Sequence, residues 1–414
     1  MATNWAGNVT YTAADVQRPI SLEELRRTVA EAARVRALGT GHSFSRIADT
    51  TGTLLRLDGL PREIDVDAAA GTVRVSAAVR YGDLGPVLRR HGLALPNTGS
   101  LPHISVAGAV ATATHGSGTG NQVLAGSVRS STVVTADGEQ RTVRRDEGQD
   151  LDGWVVSLGR LGVVVALELD CVPDFEVAQT VVEHVDEDEL GRRLASVLGA
   201  AYSVSVFTDW AGEGHTQVWV KQRTPAQAPT ELWGGRLADG PRHPIAGMPT
   251  EHTTLQMGEP GPWDERLPHF RLEFMPSSGD ELQSEYFVAA RHAPAVWSAL
   301  CGLRETLAPV LQVSEVRAVA PDPFWLSPTR GEDAVAFHFT WTSEADAVAG
   351  AVAAVEGALA GFEARPHWGK VFRASPTRLA ELYPRLAEFR ELVRSVDPTG
   401  KLGNDLVDGW LGLA

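Results

Sequence analysis

The sequence predicts an α+β protein built from more than one domain, and three observations carry that prediction. The chain has 414 residues, 43% of them hydrophobic, enough for about two to three cores at roughly 150 residues each. Its first part mixes short strand-like and helix-like segments without the long βαβ rhythm of a doubly wound sheet. After Pro173 the character changes to strands dense in Trp, His and Phe, interrupted by a Pro/Gly-rich stretch from Pro225 to Pro262 that reads as loops. The expected division is an N-terminal unit over 1–175, a second unit over 176–370 with a mixed or antiparallel sheet, and a C-terminal segment, 371–414, that returns to the first unit.

The elements follow in order. Ser21-Leu22-Glu23-Glu24 is a capping-box pattern, and Leu22, Leu25, Val29 and Ala33 have helical spacing. Arg34–Leu38, Thr53–Leu57 and Val73–Ala77 read as short strands, and Gly82–His91 as a helix. Strands are expected around Val128–Ala136 and Val163–Leu169, and helices over Ala293–Leu311, Ala345–Ala360 and Pro376–Val393. Asp397-Pro398-Thr399-Gly400 is a turn.

Composition removes several functions. Lys plus Arg is 37 and Asp plus Glu is 52, a formal charge of −15, and no block of clustered Lys and Arg is present. Such a surface repels phosphate backbones and anionic lipid, so neither nucleic acid nor membrane is an expected partner. Two cysteines make no disulfide framework, and the 12 histidines form no His-Glu-x-x-His or tight acidic cluster, so no metal centre is expected. No basic-then-apolar leader and no apolar run of about 20 residues is visible, and a cytoplasmic monomer is expected.

Two glycine-rich tracts suggest a ligand lying close to backbone. Gly39-Thr40-Gly41-His42-Ser43 follows a strand, but Phe44 stands where a dinucleotide fingerprint needs glycine, and no Gly-Lys-Ser/Thr of a P-loop occurs. The run from Ser105 to Gly118 is nearly all small residues, which suits close approach of a flat or elongated ligand. Ser157 to Val164 adds another such point.

Later segments set polar residues in apolar strands. In Glu315-Val316-Arg317 the two charges share a strand face. In Phe337-His338-Phe339-Thr340-Trp341 the imidazole and hydroxyl face one way and the aromatics the other. Arg365 to Lys370 repeats the theme. If these strands share a sheet, one face gathers an anion, two cations, an imidazole and a hydroxyl, a surface suited to a neutral polyol whose every hydroxyl needs a partner.

Taken together, Gly39–Ser43, Leu95-Pro96-Asn97 through Gly108, Thr114-His115-Gly116, Gly159–Val163 and His367-Trp368-Gly369-Lys370 resemble the vanillyl-alcohol-oxidase superfamily of flavoproteins, in its aldonolactone-oxidase branch. With Asn4–Asn8 and Ser314–Arg317, the resemblance is closest to the bacterial alditol oxidases and spans the chain. It implies FAD bound by the N-terminal unit, attached covalently through His42, with Gly39, Thr40, Gly41, Ser43, Ser100, Ser105, Gly108, Thr112, Thr114, His115, Val163 and His367 around it. It implies a substrate cap in the second unit, with Ser100, Glu315, Arg317, Thr340 and Lys370 on an alditol such as xylitol or sorbitol. Arg317 and Lys370 would stabilise alkoxide character, and His338 would assist proton removal as hydride passes to flavin N5. Gly99, where relatives carry alanine, would leave dioxygen a path to the reduced flavin, so hydrogen peroxide is the expected second product. An aldonolactone oxidase or dehydrogenase is the nearest alternative; a metal hydrolase and a non-catalytic sugar-binding module are more distant ones.

Overall fold

In the computed structural model, which describes residues 2–146, 150–211, 216–225, 229–274 and 281–413, the short N-terminal strands form two small sheets. Asp15–Gln17, Thr53–Arg56 and Val35–Leu38 lie parallel, in that order. Ile64–Asp67, Thr72–Ser76, Val163–Asp170, Val128–Val134 and Gln140–Arg144 form an antiparallel five-stranded sheet. The helix Leu22–Glu31 starts where the capping pattern puts it: Ser21 Oγ accepts from the Glu24 N–H, and Leu25, Thr28 and Val29 form its buried stripe.

The C-terminal segment joins this first core. Leu379, Leu386, Phe389, Val407 and Leu411 pack in one cluster with Leu25, Val73 and Val163. Buried ion pairs fasten it: Arg160 meets Asp397 at 2.7 Å and Asp408 at 2.9 Å, and Arg36 donates to the Leu402 carbonyl at 2.8 Å.

The large sheet runs Arg236–Leu237, Glu176–Glu183, Gln217–Arg223, Ser203–Thr208, Leu311–Val319, Ala334–Trp341, Leu282–Ala289, Arg365–Pro366, every pair antiparallel, with Pro260–Pro262 also on Glu176–Glu183. Strand alternation divides its two faces. Val206, Val218, Val316, Phe337, Phe339 and Trp341 face the helices Glu187–Leu198, Ala293–Cys301 and Ala345–Leu359, whose Leu190, Leu194, Trp297, Val348 and Val352 complete a second core. The opposite face carries Glu315, Arg317, His338 and Thr340, the polar partners that alternation assigned to it.

Three expectations need correction. The helix expected over Ala293–Leu311 is two, Ala293–Cys301 and Arg304–Leu307, separated at Gly302 and Leu303, and Leu311 already begins a strand. The helix expected over Pro376–Val393 is broken into Pro376–Leu382 and Leu386–Val396, because Pro384 forces Tyr383 into extended backbone. An apolar run of nearly spanning length also exists: Ala345–Phe362 is long and apolar enough to cross a membrane by length and composition, but its Val348, Ala351, Val352, Val355 and Leu359 are buried against the sheet. Of the Pro225–Pro262 stretch, 226–228 lie outside the described residues, and the rest is turns with two very short strands.

Candidate active site

The two glycine tracts and the polar sheet face line one cavity of about 530 Å³. Every residue that the sequence nominates, from Gly39–Ser43 through Ser100, Ser105, Gly108, Thr112, Thr114, His115 and Val163 to Glu315, Arg317, His338, Thr340, His367 and Lys370, is on its wall. Topology brings them together: the N-terminal turns follow strands of the small sheets, while the charges sit in mid-strand on the large sheet.

At one end, Gly41 takes φ +73, a conformation that glycine adopts without strain. The turn is held by Asn4, whose side chain donates to the Ser43 carbonyl at 2.9 Å, and by the Trp5 N–H on the Gly41 carbonyl at 2.8 Å. The His42 ring stacks on Trp5 with centroids 5.1 Å apart. Its two ring nitrogens are shielded from solvent and make no well-formed hydrogen bond, the Thr40 backbone interacting with the ring only weakly. Burial, reinforced by His103, pushes its pKa down to about 4, so the ring is neutral at neutral pH. Shielded nitrogens without partners are expensive in a folded protein and mark a place where a bound group completes the bonding.

At the other end lies a fully packed polar network. The register sets Glu315 opposite His338 and His338 opposite Glu285 on three adjacent strands. Glu285, 1% exposed, accepts from Arg317 Nη2 at 2.8 Å, His115 Nε2 at 3.1 Å and Lys370 Nζ at 2.7 Å. Burial alone would raise its carboxyl, but Lys370, His115 and Arg317 hold it well below the usual carboxylate range. Arg317 Nη1 donates to Ser100 Oγ at 3.2 Å. Lys370 Nζ lies 2.6 Å from His338 Nδ1, and His338 Nε2 lies 3.1 Å from Thr340 Oγ1. Burial, then Lys370, pushes His338 down to about 3, and burial lowers Lys370 despite Glu285. Among the described residues no group of three His, Cys, Asp or Glu could hold a metal ion.

Two nominated side chains serve the network or the backbone as well as the cavity. His115 bonds Glu285 and the Gly116 carbonyl. Thr112 Oγ1 donates to the Gly108 carbonyl at 3.1 Å. Sequence reasoning missed Glu285, His269 and Lys221. Glu285 lies between Ser284 and Tyr286, where no polar alternation marks it. Lys221 follows the apolar run Val218-Trp219-Val220, where no polar alternation marks it. His269 is in a loop and carried no signal.

Comparison with known proteins fits this division. The sequence profile of the FAD binding domain matches residues 13–144, and that of D-arabinono-1,4-lactone oxidase matches residues 281–410. An alditol oxidase of Streptomyces sp. (strain IKD472 / FERM P-14339) is 53% identical over 414 residues, covering 98% of this chain and 99% of that one. The chain belongs to the alditol oxidase family. Membership in the alditol oxidase family places it in the vanillyl-alcohol-oxidase superfamily, with FAD as cofactor. L-gulono-1,4-lactone dehydrogenase of Mycobacterium tuberculosis (strain ATCC 25618 / H37Rv) is 30% identical over 99% of both chains. The fold is shared with the crystal structure of cholesterol oxidase from B. sterolicum, at TM-score 0.75 and 15% identity, over 99% of this chain and 96% of that one. In this member of the alditol oxidase family, the small-residue wall gives a flavin dinucleotide the close backbone approach it needs.

Proposed function

We propose that the enzyme oxidises the terminal primary alcohol of alditols such as xylitol and sorbitol to the aldose, using FAD attached through His42 and dioxygen as final acceptor. The observation that carries this reading is the buried sheet face of Glu315, Arg317, His338 and Thr340, which stands around one cavity with Ser100 and with Lys370 from the turn after Arg365–Pro366. Bound FAD supplies the redox chemistry, taking a hydride from the carbinol carbon and passing its electrons to dioxygen, which leaves as hydrogen peroxide. Gly39–Ser43 and the tract from Ser105 to Thr114 hold the cofactor.

The chain's own residues handle the hydroxyls and the proton. Ser100, Glu315 and Thr340 offer donors and acceptors to the polyol, which fixes the carbon presented. Arg317, held charged by Glu315 and Glu285 against the effect of burial, stabilises developing alkoxide character. His338 takes the hydroxyl proton at Nε2, which requires its other proton on Nδ1, aimed at Lys370 Nζ. That arrangement exists only while Lys370 is neutral, the form that burial favours. As Nε2 gains a proton, Nδ1 passes one to Lys370, whose new charge faces Glu285 at 2.7 Å.

A pH dependence of defined sign follows. With Lys370 protonated, its ammonium occupies Nδ1 and the pair has no room for another proton. kcat/KM for xylitol therefore rises with pH through the lowered Lys370 pKa and then levels off. His338 itself, at about 3, adds no limb near neutrality. Lys370→Met flattens the profile and lowers kcat/KM by about 10²–10⁴-fold. A wild-type profile with no rise at any pH below the ordinary lysine value of about 10.4 overturns the Lys370–His338 relay.

Gly99 governs the second half-reaction. A Cβ there would sit 3.4 Å from Ile104 Cδ1 and 3.8 Å from the His115 carbonyl, ordinary contacts, so Gly99→Val folds. It lines the cavity, and the added methyls obstruct dioxygen. Reduction by xylitol stays within about threefold while reoxidation in air slows about tenfold or more, a barrier change of about 1.4 kcal/mol. Unchanged reoxidation would remove Gly99 from the oxygen path.

Anaerobic mixing with xylitol, sorbitol and a gulonolactone tests the function as a whole. Alditols bleach the flavin and readmitted air yields peroxide; bleaching by the lactone alone would make this a lactone oxidase. The net charge of −15 supports a cytoplasmic monomer without nucleic-acid or membrane partners.

A further inference from the structure

The proton relay leaves one buried cation unexplained. Lys221, in the strand Gln217–Arg223, is 1% exposed. Its Nζ lies 2.5 Å from the Leu267 carbonyl, 3.3 Å from the Pro268 carbonyl and 3.0 Å from His269 Nδ1, one partner for each ammonium proton. His269 Nε2 lies 2.7 Å from Glu315 Oε1. The ring is wedged edge-on against Phe207 and Trp219, each 5.4 Å away between centroids, and the His269 backbone N–H donates to the Ser100 carbonyl at 3.0 Å. So Lys221, His269, Glu315 and Ser100 form one connected unit.

The same Lys–His pairing occurs twice around this cavity with different third members. Lys370–His338 ends on Thr340, a hydroxyl that both donates and accepts, so His338 is free to exchange tautomers. Lys221–His269 ends on a carboxylate, which only accepts. Burial pushes Lys221 down to about 7, and below that value the two constraints on His269 agree: an ammonium on Nδ1 and a carboxylate on Nε2 both require the proton on Nε2.

We propose that Lys221 is a positioning residue that locks His269 in the Nε2–H tautomer and thereby fixes the Glu315 carboxylate as acceptor for a polyol hydroxyl. Glu315 Oε1 takes both His269 and, at 3.4 Å, Arg317 Nε, which directs Oε2 to the substrate. This role rests on the alditol reading of the cavity, but the tautomer lock does not. The charged and titratable groups facing His269 are Lys221, Glu315 and Arg317, and those facing Glu315 are Arg317, His269 and His338. Burial and Lys221 hold His269 neutral, at about 4.

The test uses the flavin-loaded enzyme with ¹⁵N-labelled histidine, the His269 signals assigned by their loss in His269→Gln. In the wild type, His269 shows an Nε2–H tautomer that does not titrate between about pH 5.5 and 7, the range in which Lys221, lowered to about 7, keeps its proton and which holds the ordinary histidine pKa of roughly 6.5. In Lys221→Met, the ring loses its cationic neighbour and gains a titration in that interval. KM for xylitol rises about tenfold, the size of weakening one charge-assisted hydrogen bond, while flavin reduction at saturation stays within about threefold. Glutamine at 269 donates an N–H without a tautomer, so Lys221→Met adds less than about twofold to KM in the His269→Gln background. An Nδ1–H tautomer in the wild type overturns the proposal without any variant, and so does an additive double mutant. If no alditol reduces the wild-type flavin, the function fails while the tautomer result still judges the lock.

Discussion

Replacing Glu285 with glutamine is expected to slow flavin reduction by xylitol about 10²–10³-fold and to lower the melting temperature by roughly 5–10 °C. The reason is position and charge together. Glu285 is 1% exposed and is the shared acceptor for Arg317, Lys370 and His115. Removing one partner of a buried ion pair costs about 3–5 kcal/mol because the other charge stays buried. Glutamine keeps the shape and one acceptor oxygen, but its amide donors face Lys370. Neutral Lys370 tolerates that arrangement and the ammonium does not. The variant therefore moves the rise in the pH profile to lower pH while its plateau falls, since the proton has no compensated place to go. Its stability defect also depends on pH with a fixed sign. The depressed Glu285 pKa stabilises the fold above the unfolded carboxyl value of about 4.3, and that contribution is lost as pH falls toward the folded value. The melting-temperature gap to the wild type therefore narrows in acid. Glu285→Asp, which keeps the charge on a shorter stem, recovers part of both losses. A Glu285→Gln enzyme with full rate and an unshifted pH profile would show that Lys370 needs no counter-charge.

How far the sequence exposes this site depends on which physical pattern each residue obeys. Glu315, Arg317, His338 and Thr340 were legible because a two-residue period in an apolar strand assigns faces, and the opposite face proved to be a packed core of Val316, Phe337, Phe339 and Trp341. That Glu315 and His338 are adjacent was not legible: it is set by register between strands separated by a 14-residue connection, which no local rule fixes. Glu285 enters from a third strand with polar neighbours on both sides, so neither period nor composition distinguishes it. His269 reaches Glu315 from a loop, where spacing carries no information. A helix end failed where one residue overrides periodicity, as Pro384 does by holding Tyr383 extended.

The His42→Ala enzyme is expected to release all of its flavin on denaturation, so that a denaturing gel soaked in acid shows no fluorescent protein band, whereas the wild-type band glows under ultraviolet light. The geometry makes His42 the side chain suited to such a bond. A nitrogen that bonds carbon must present a lone pair, and burial with a nearby His103 keeps this ring neutral, at about 4. Neither nitrogen makes a well-formed hydrogen bond, Thr40 reaching the ring only weakly, whereas His338, His115 and His269 each make two close polar contacts. The ring is also held in place. Trp5 stacks on it, Asn4 and the Trp5 amide fix the turn, and the Phe44 N–H donates to the Gly369 carbonyl at 2.7 Å. That last bond ties the backbone two residues after His42 to the residue before Lys370. Alanine deletes the ring and its stacking on Trp5 but leaves the backbone contacts of the turn in place, so FAD is expected to be retained reversibly. Turnover with xylitol falls about tenfold, because a ring no longer tethered spends less time in register with the relay. A fluorescent band that survives in His42→Ala would move the attachment to another residue, and a dark wild-type band would leave the cofactor held by the glycine tracts alone.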